Sequence, residues 1–356
     1  MLALARSSAS TPFSMFTALI LVIFCVGTEG QRMVLQLISR GDNGLLVANQ
    51  SALARLESLQ NPPLEVLSVV GGFHAGKSFL MNHLMSLPDG GFKVDWSVDP
   101  TTHGMQAWAQ PDVSEDKLLH VLVIDTEGLS ATENDHDYDA KIFAISALIS
   151  TQLLYCSQSK ISHRDIEYLE LLAQRSHLFA MKSAHSTHTT LSVNSRQALQ
   201  SYSSASSDLT RSATRSNALS TGDASKTTAT EPDTVLDFPP LTWVVNSWQF
   251  PLDRTPKEYL DRLLAESSHA TSGTLRNIFS QTDAHLLSPP VTVTGDWSTL
   301  HTKKKEELSP VFLQQLGELR AKLTIAMTRN PGRRRSGREL AQLIRLCVDR
   351  ANRYNK

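Results

Sequence analysis

The chain has 356 residues, a hydrophobic share of 41% and a formal net charge of −1. That is enough apolar material for a packed core, either as one large α/β domain with additions or as two cores. No nucleic-acid partner is expected, since the near-zero charge supplies no global basic field that would argue for one, and charge is otherwise uninformative.

Arg6 and a Ser-rich start precede an apolar run from Phe16 to Gly27, followed by small and polar residues up to Gln31. This is a signal-peptide layout, with the run too short for the roughly 20 residues of a spanning helix. The expectation is a signal segment at 1–30 cleaved after Gly27 or Gly30, placing the protein in the secretory pathway, with a membrane anchor through residues 13–27 as the alternative. Of three cysteines, Cys25 would leave with that segment, and Cys156 and Cys347 remain as one disulfide or two buried thiols. Asn49 opens an NQS sequon, usable if the chain enters the secretory lumen.

From Leu64 the apolar run LEVLSVV reads as a strand, followed by a Gly-containing turn and a helix with Leu80, Leu84 and Leu87 on one face. The turn, from Gly71 through Gly72, Phe73, His74, Ala75 and Gly76 to Lys77 and Ser78, satisfies GxxxxGK[ST] in the strand–loop–helix context that motif requires. Its chemistry is phosphate binding. Glycines let the backbone wrap the anion, N–H groups at the helix start point at it, Lys77 neutralises charge and Ser78 offers a hydroxyl to Mg²⁺.

Further on, DPTTHGMQAW holds Thr101 and Thr102, either of which could give a second hydroxyl to the metal from a mobile segment. The strand LLHVLVID, Leu118 to Asp125, ends in the turn TEGL, placing Asp125 to reach Mg²⁺ through water and the Gly128 N–H to meet a γ-phosphate. Asp139 to Leu154 then carries Ile142, Ile145 and Ile149 at helical spacing. Strands alternating with helices predict an α/β fold, with a central mostly parallel sheet flanked by helices on both faces.

Residues 182–234, rich in Ser and Thr, read as a disordered insertion between the two parts of one domain, 31–181 and 235–356. LDFPPLTWVVNSW is a further strand, and Thr255, Pro256 and Glu258 open a helix with a capping-box signal. Two more helices follow, one with Phe312, Leu316, Leu319 and Leu323 on one side, the other with Leu340, Leu343, Ile344 and Cys347. GRRRSGR between them reads as a solvated basic loop, with anion or membrane-surface contact as the alternative.

The segments GLLVANQSALARLES, GFHAGKSFLMNHL, DPTTHGMQAW, VLVIDTEGL, KIFAISALIS and LTWVVNSWQFPLD resemble, in order and spacing, the guanylate-binding-protein and atlastin class of large GTPases. The resemblance runs from about Leu35 to Asn352 and implies a P-loop G domain that binds GTP with Mg²⁺, hydrolyses it, and pairs with a second copy across its nucleotide face when loaded. Carried over by position, it implies nucleotide contacts along the loop from Gly71 and Phe73 to Ser78 and Phe79, and at Gly128, Asn246 and Ser247. Ser78, Thr102 and Asp125 would hold the metal, while Lys77, Ser78, Thr102, Glu127 and His74 would carry the catalysis. Asp125, Glu127 and Gly128 would make up the second switch.

Two positions depart from the family. His74 stands where an arginine usually stabilises charge on the transferring phosphoryl group, and histidine cannot reproduce a bidentate fork. Asn246 and Ser247 stand where the family has Arg-Asp, so the carboxylate that reads guanine is missing, which leaves guanine against adenine open. The expectation is a GTP-binding protein with weak hydrolysis. The alternative is a non-hydrolysing nucleotide-binding or interaction module. Membrane association is left open.

Overall fold

The strand Glu65–Gly71 is buried along its whole length, Glu65 included, as a strand covered on both faces must be. Its side chains divide by alternation: Val66 and Val70 join one apolar cluster, Leu67 and Val69 another. The computed structural model describes residues 34–59, 63–87, 91–94, 102–110, 121–129, 136–185, 238–266, 274–291, 299–329 and 331–353. The N-terminal segment 1–30, Thr101 and most of the Ser/Thr-rich segment 182–234 lie outside them.

The strands, in chain order, are β1 (Leu35–Arg40), β2 (Leu46–Ala48), β3 (Glu65–Gly71), β4 (Met105–Gln110), β5 (Val121–Thr126), β6 (Gln152–Gln158), β7 (Leu241–Asn246) and β8 (Thr282–Leu286). The helices are α1 (Gln50–Glu57), α2 (Lys77–Leu84), α3 (His136–Ile149), α4 (His163–His185), α5 (Pro256–Glu266), α6 (Thr274–Ile278), α7 (Pro310–Arg329) and α8 (Gly337–Arg353). The sheet order is β2-β1-β4-β5-β3-β6-β7-β8. From β5 through β3, β6 and β7 to β8 the pairings are parallel, and β4, β1 and β2 add an antiparallel flank.

One face of this sheet is covered by α1, α3, α4, α5 and α8, the other by α2 and α7. The α/β expectation holds, with a different division at residues 139–154. There α3 stops at Ile149, and Leu153 and Leu154 belong to β6, because Thr151 and the residues after it pair along β3. The Ser/Thr-rich reading began at Lys182, and α4 carries the helix on to His185.

Capping explains several boundaries. Asn49, read as a sequon, is the N-cap of α1, its side chain accepting from the Ser51 and Ala52 N–H groups at 3.1 and 3.2 Å. The capping box at Thr255 forms as expected: the Thr255 N–H donates to Glu258 at 2.9 Å and the Glu258 N–H to Thr255 Oγ1 at 3.2 Å. Cys156 and Cys347 are both buried free thiols, which settles the alternative left by the sequence.

The basic cluster is not a solvated loop. Arg333 donates through Nε to the Ser150 carbonyl at 3.1 Å, and Arg335 reaches the Ile149 carbonyl, so these guanidiniums satisfy the open carbonyl end of α3. Arg334 pairs with Glu65, whose side chain is fully buried. Charge density alone could not reveal this, because the acceptors come from residues about two hundred positions earlier in the chain. Arg334→Ala would strand a buried carboxylate and should cost about 3 to 5 kcal/mol in denaturant unfolding. The double change Glu65→Gln with Arg334→Met should recover most of that loss, and an Arg334→Ala midpoint equal to wild type would refute the pairing.

Candidate active site

Adjacent parallel strands end on the same side of a sheet, and the crevice beyond their carboxyl ends is where α/β folds place ligands. Here β3, β5, β6 and β7 end at Gly71, Thr126, Gln158 and Asn246. The loop from Gly71 to Gly76 leaves β3 and enters α2.

Two glycines make that turn possible. Gly71 has φ 145°, and a Cβ there would stand 2.2 Å from the Cys156 carbonyl oxygen. Gly76 has φ 78° and directly precedes the first residue of α2. The Phe73 N–H donates to Leu129 at 3.1 Å and the Leu129 N–H to Gly71 at 3.0 Å, which joins the loop to the turn after β5.

Lys77 is nearly buried and donates from Nζ to the Gly72 carbonyl at 3.0 Å. Ser78 donates from Oγ to Asp125 Oδ2 at 2.6 Å, Thr102 donates to the same oxygen at 3.0 Å, and the two hydroxyl oxygens are 3.3 Å apart. The three expected metal ligands are thus together. The other oxygen, Oδ1, is buried with no hydrogen bond of good geometry to a described residue, although the Thr126 amide lies beside it. Two hydroxyls and one carboxylate are the hard oxygen donors that Mg²⁺ prefers, and an underused buried carboxylate oxygen fits such an ion.

Burial pushes the Asp125 carboxyl above the usual range, and Lys77, Ser78 and Thr102 oppose that shift. Burial likewise lowers the Lys77 ammonium, with Asp125 the main opposing influence.

Glu127, expected among the catalytic groups, accepts from the Gly104 N–H and from the Tyr138 hydroxyl, both at 2.7 Å. It ties the segment before β4 to α3. The Tyr138 phenol is pushed upward, chiefly by burial and then by this carboxylate, so it remains a donor to it. His74 is exposed, has φ 57°, and rests its ring 3.9 Å from that of Phe73, while its carbonyl accepts from Gln158 Nε2 at 2.7 Å.

Asn246, expected to contact the nucleotide, holds the loop itself. Its Nδ2 donates to the Ala75 carbonyl at 2.6 Å, and Ser247 follows with φ 61°. Ala75, Phe79, Gly128, Asn246 and Ser247 all border one cleft with Lys77, Ser78 and Thr102. That cleft has further walls that the sequence did not suggest: Lys93 and Val94, Gln158, Pro290, Leu300, His301 and Phe312. Only the apolar spacing of α7 hinted at any of these, through Phe312, which packs 6.1 Å from Phe79 between ring centres.

Residues 43–209 match the model of the guanylate-binding protein N-terminal domain. Among curated proteins, guanylate-binding protein 6 of Homo sapiens is 37% identical over 145 residues, which cover 40% of this chain and 22% of that protein. Guanylate-binding protein 1 of Homo sapiens is 35% identical over 144 residues, 40% of this chain and 24% of that protein. The match therefore spans less than a quarter of the length of either relative. Among solved structures, translation elongation factor SelB from Methanococcus maripaludis in complex with the GTP analogue GppNHp aligns with a TM-score of 0.32 at 11% identity, over 76% of this chain and 35% of that one. The resemblance read from the motifs is to the guanylate-binding proteins.

Placement in the secretory pathway does not survive this comparison. The matching relatives are cytosolic guanylate-binding proteins, so neither the secretory reading nor the anchor at 13–27 is retained. Among the described residues no helix is long and apolar enough to cross a membrane.

Asp125 has a testable signature. Its folded-state pKa is raised, so the neutral acid is what folding favours, and that stability is lost as pH rises through the raised value. Asp125→Asn combined with Lys77→Met removes both buried charges and should unfold at higher urea than wild type at neutral pH, whereas Asp125→Asn alone leaves the buried Lys77 ammonium uncompensated and should unfold at lower urea than the double variant. Urea midpoints of the three proteins would check this; equal midpoints would sink it.

Proposed function

We propose that this chain, a guanylate-binding-protein-type G domain by its motifs and its family match, binds GTP with Mg²⁺ and hydrolyses it slowly. One observation carries the reading: Ser78, Thr102 and Asp125 converge within 3.3 Å at the start of α2, beside the buried Lys77. The domain is taken as residues 31–181 and 235–356, interrupted by the segment 182–234.

In this reading the loop amides and the N-terminal end of α2 receive the phosphates, and Lys77 exchanges its Gly72 carbonyl for phosphate oxygens. Ser78 and Thr102 would present hydroxyl oxygens to the metal while Asp125, which accepts from both, would orient them. Mg²⁺, held there by Ser78, Thr102 and Asp125, would supply neutralisation of the negative charge on the phosphates. The Gly128 N–H serves the terminal phosphate, and Glu127 holds the Thr102 segment in register through Gly104. Asn246 and Ser247 border the cleft and would stand at its base end.

His74 is exposed and leans on Phe73, so it can donate one hydrogen bond toward the transferring group but brings no fixed positive fork. A second reading, a nucleotide-binding module that does not hydrolyse, is favoured by this histidine and by the serine at 247. Pairing of two copies across the nucleotide face on loading is part of the first reading and is supported by the resemblance alone.

Titration and turnover of the protein with Mg²⁺ and GTP, with ATP in parallel, test these statements. Lys77→Ala should abolish binding, and unchanged affinity in that variant would overturn the phosphate-loop reading. His74→Arg should raise turnover, by about 10-fold up to 10³-fold if the new guanidinium reaches the phosphoryl group. Wild type that binds but shows no turnover, unchanged by His74→Arg, would favour the non-hydrolysing module. Ser247→Asp should raise the preference for GTP over ATP by roughly 30- to 150-fold, the worth of a charge-assisted hydrogen-bond pair. An unchanged ratio would mean that residue 247 does not meet the base.

A further inference from the structure

Gln158 and Asn246 are the last residues of β6 and β7 and stand opposite each other in the parallel register. Gln158 Nε2 donates to the His74 carbonyl at 2.7 Å, and Asn246 Nδ2 donates to the next carbonyl, that of Ala75, at 2.6 Å. Two neutral amide side chains, side by side on neighbouring strands, thus take hold of two consecutive peptide units of the phosphate loop. We propose that they form a paired amide clamp, which holds that loop in the shape that receives an anion before any ligand arrives. The proposal rests on the reading of residues 71–78 as a phosphate loop.

Planarity of the peptide group supplies the mechanism. In each unit the carbonyl and the following N–H point in opposite directions, so a carbonyl drawn toward the strand ends turns its partner N–H away from them. Fixing the His74 carbonyl fixes the direction of the Ala75 N–H, which turns back to the Gly72 carbonyl at 3.2 Å and tightens the loop. Fixing the Ala75 carbonyl fixes the Gly76 N–H, on a residue that borders the cleft. The clamp therefore orients anion-binding groups without touching the anion, and both residues are positioning residues.

Two further observations require such a restraint. His74 lies at φ 57°, a left-handed conformation that a non-glycine residue keeps only when its surroundings over-determine it. The two bonds grip the carbonyls on either side of the Ala75 N–H, immediately after this strained residue. Moreover, a Cβ on Gly76 would come within 3.3 Å of Asn246 Nδ2, so the amide is seated against the loop rather than beside it. Because Ser247 follows directly after Asn246, the base end of the cleft and the phosphate loop are joined through one residue. Both clamp groups are uncharged at all ordinary pH, so their hold does not vary with pH.

Two measurements on the full chain separate the clamp from the nucleotide reading. Gln158→Met and Asn246→Leu keep size and remove the donor, and Gln158→Glu keeps shape and polarity with no N–H to give. In the nucleotide-free protein each change should speed hydrogen–deuterium exchange of the amides at 73–76 by about 5-fold, the worth of one hydrogen bond, with the melting temperature of the domain little altered. The Kd for Mg·GDP should rise by a similar factor, and the double variant should fall short of the product of the single effects, since the two bonds hold one peptide segment. Unchanged exchange at 73–76 in all three single variants would overturn the clamp, whatever the nucleotide affinity. Accelerated exchange in variants of a wild type that binds no Mg·GDP would keep the clamp and remove the nucleotide reading instead.

Discussion

The carboxyl end of β3 runs so close to β6 that only a glycine fits at position 71, against the Cys156 carbonyl. That approach sets the geometry of the rest of the site. It brings the loop after β3 across the ends of β6 and β7, within reach of short amide side chains, and it starts α2 with Lys77 already sunk among β-strand ends. A larger residue at 71 would part the two strands at the point where the sheet offers its ligand-binding edge. The buried thiol of Cys156, held neutral by burial with a pKa pushed up to about 12, contributes volume and no charge beneath that loop.

The polar interior of the site is arranged at a cost to the empty protein. An ammonium and a carboxylate are both withdrawn from water, and each is only partly compensated by the other and by hydroxyls. The surrounding scaffold tolerates this because an apolar cluster covers each sheet face, and Ala75, Phe79 and Phe312 belong both to one of these clusters and to the cleft wall. Functional sites elsewhere show the same exchange of stability for readiness.

What the sequence made legible follows the same physics. Strands β3 and β5 were readable because a strand buried on both faces is apolar throughout, and the loop after β3 was readable because its glycines and lysine have fixed spacing. Ser78 and Asp125 were placed in one site by their motifs, Thr102 rather than Thr101 was chosen by the family resemblance, and the structure brings the three together. Strands β1, β4 and β8, with sequences LQLISR, MQAWAQ and TDAHL, passed unread, because their conformation is decided by partners rather than by local preference. The roles of Arg333 to Arg335, Gln158 and Asn246 depend on which backbone carbonyls lie nearby, and no local pattern encodes that. Leu300, His301 and Phe312 reach the cleft only because α7 and the segment before it pack across α2.

The short strand β2 closes one edge of the sheet, and its backbone is satisfied from far along the chain: Asn352 accepts from the Leu46 N–H and donates to the Leu46 carbonyl, both at 2.8 Å. During synthesis on a ribosome, residues 35 to 48 emerge hundreds of residues before the side chain that finishes them. The β1–β2 pairing is local and can form early, but the Leu46 groups must wait for the last turn of α8. The outer edge of this sheet is consequently finished late in synthesis, and until then those two backbone groups are left to water or to a holding chaperone.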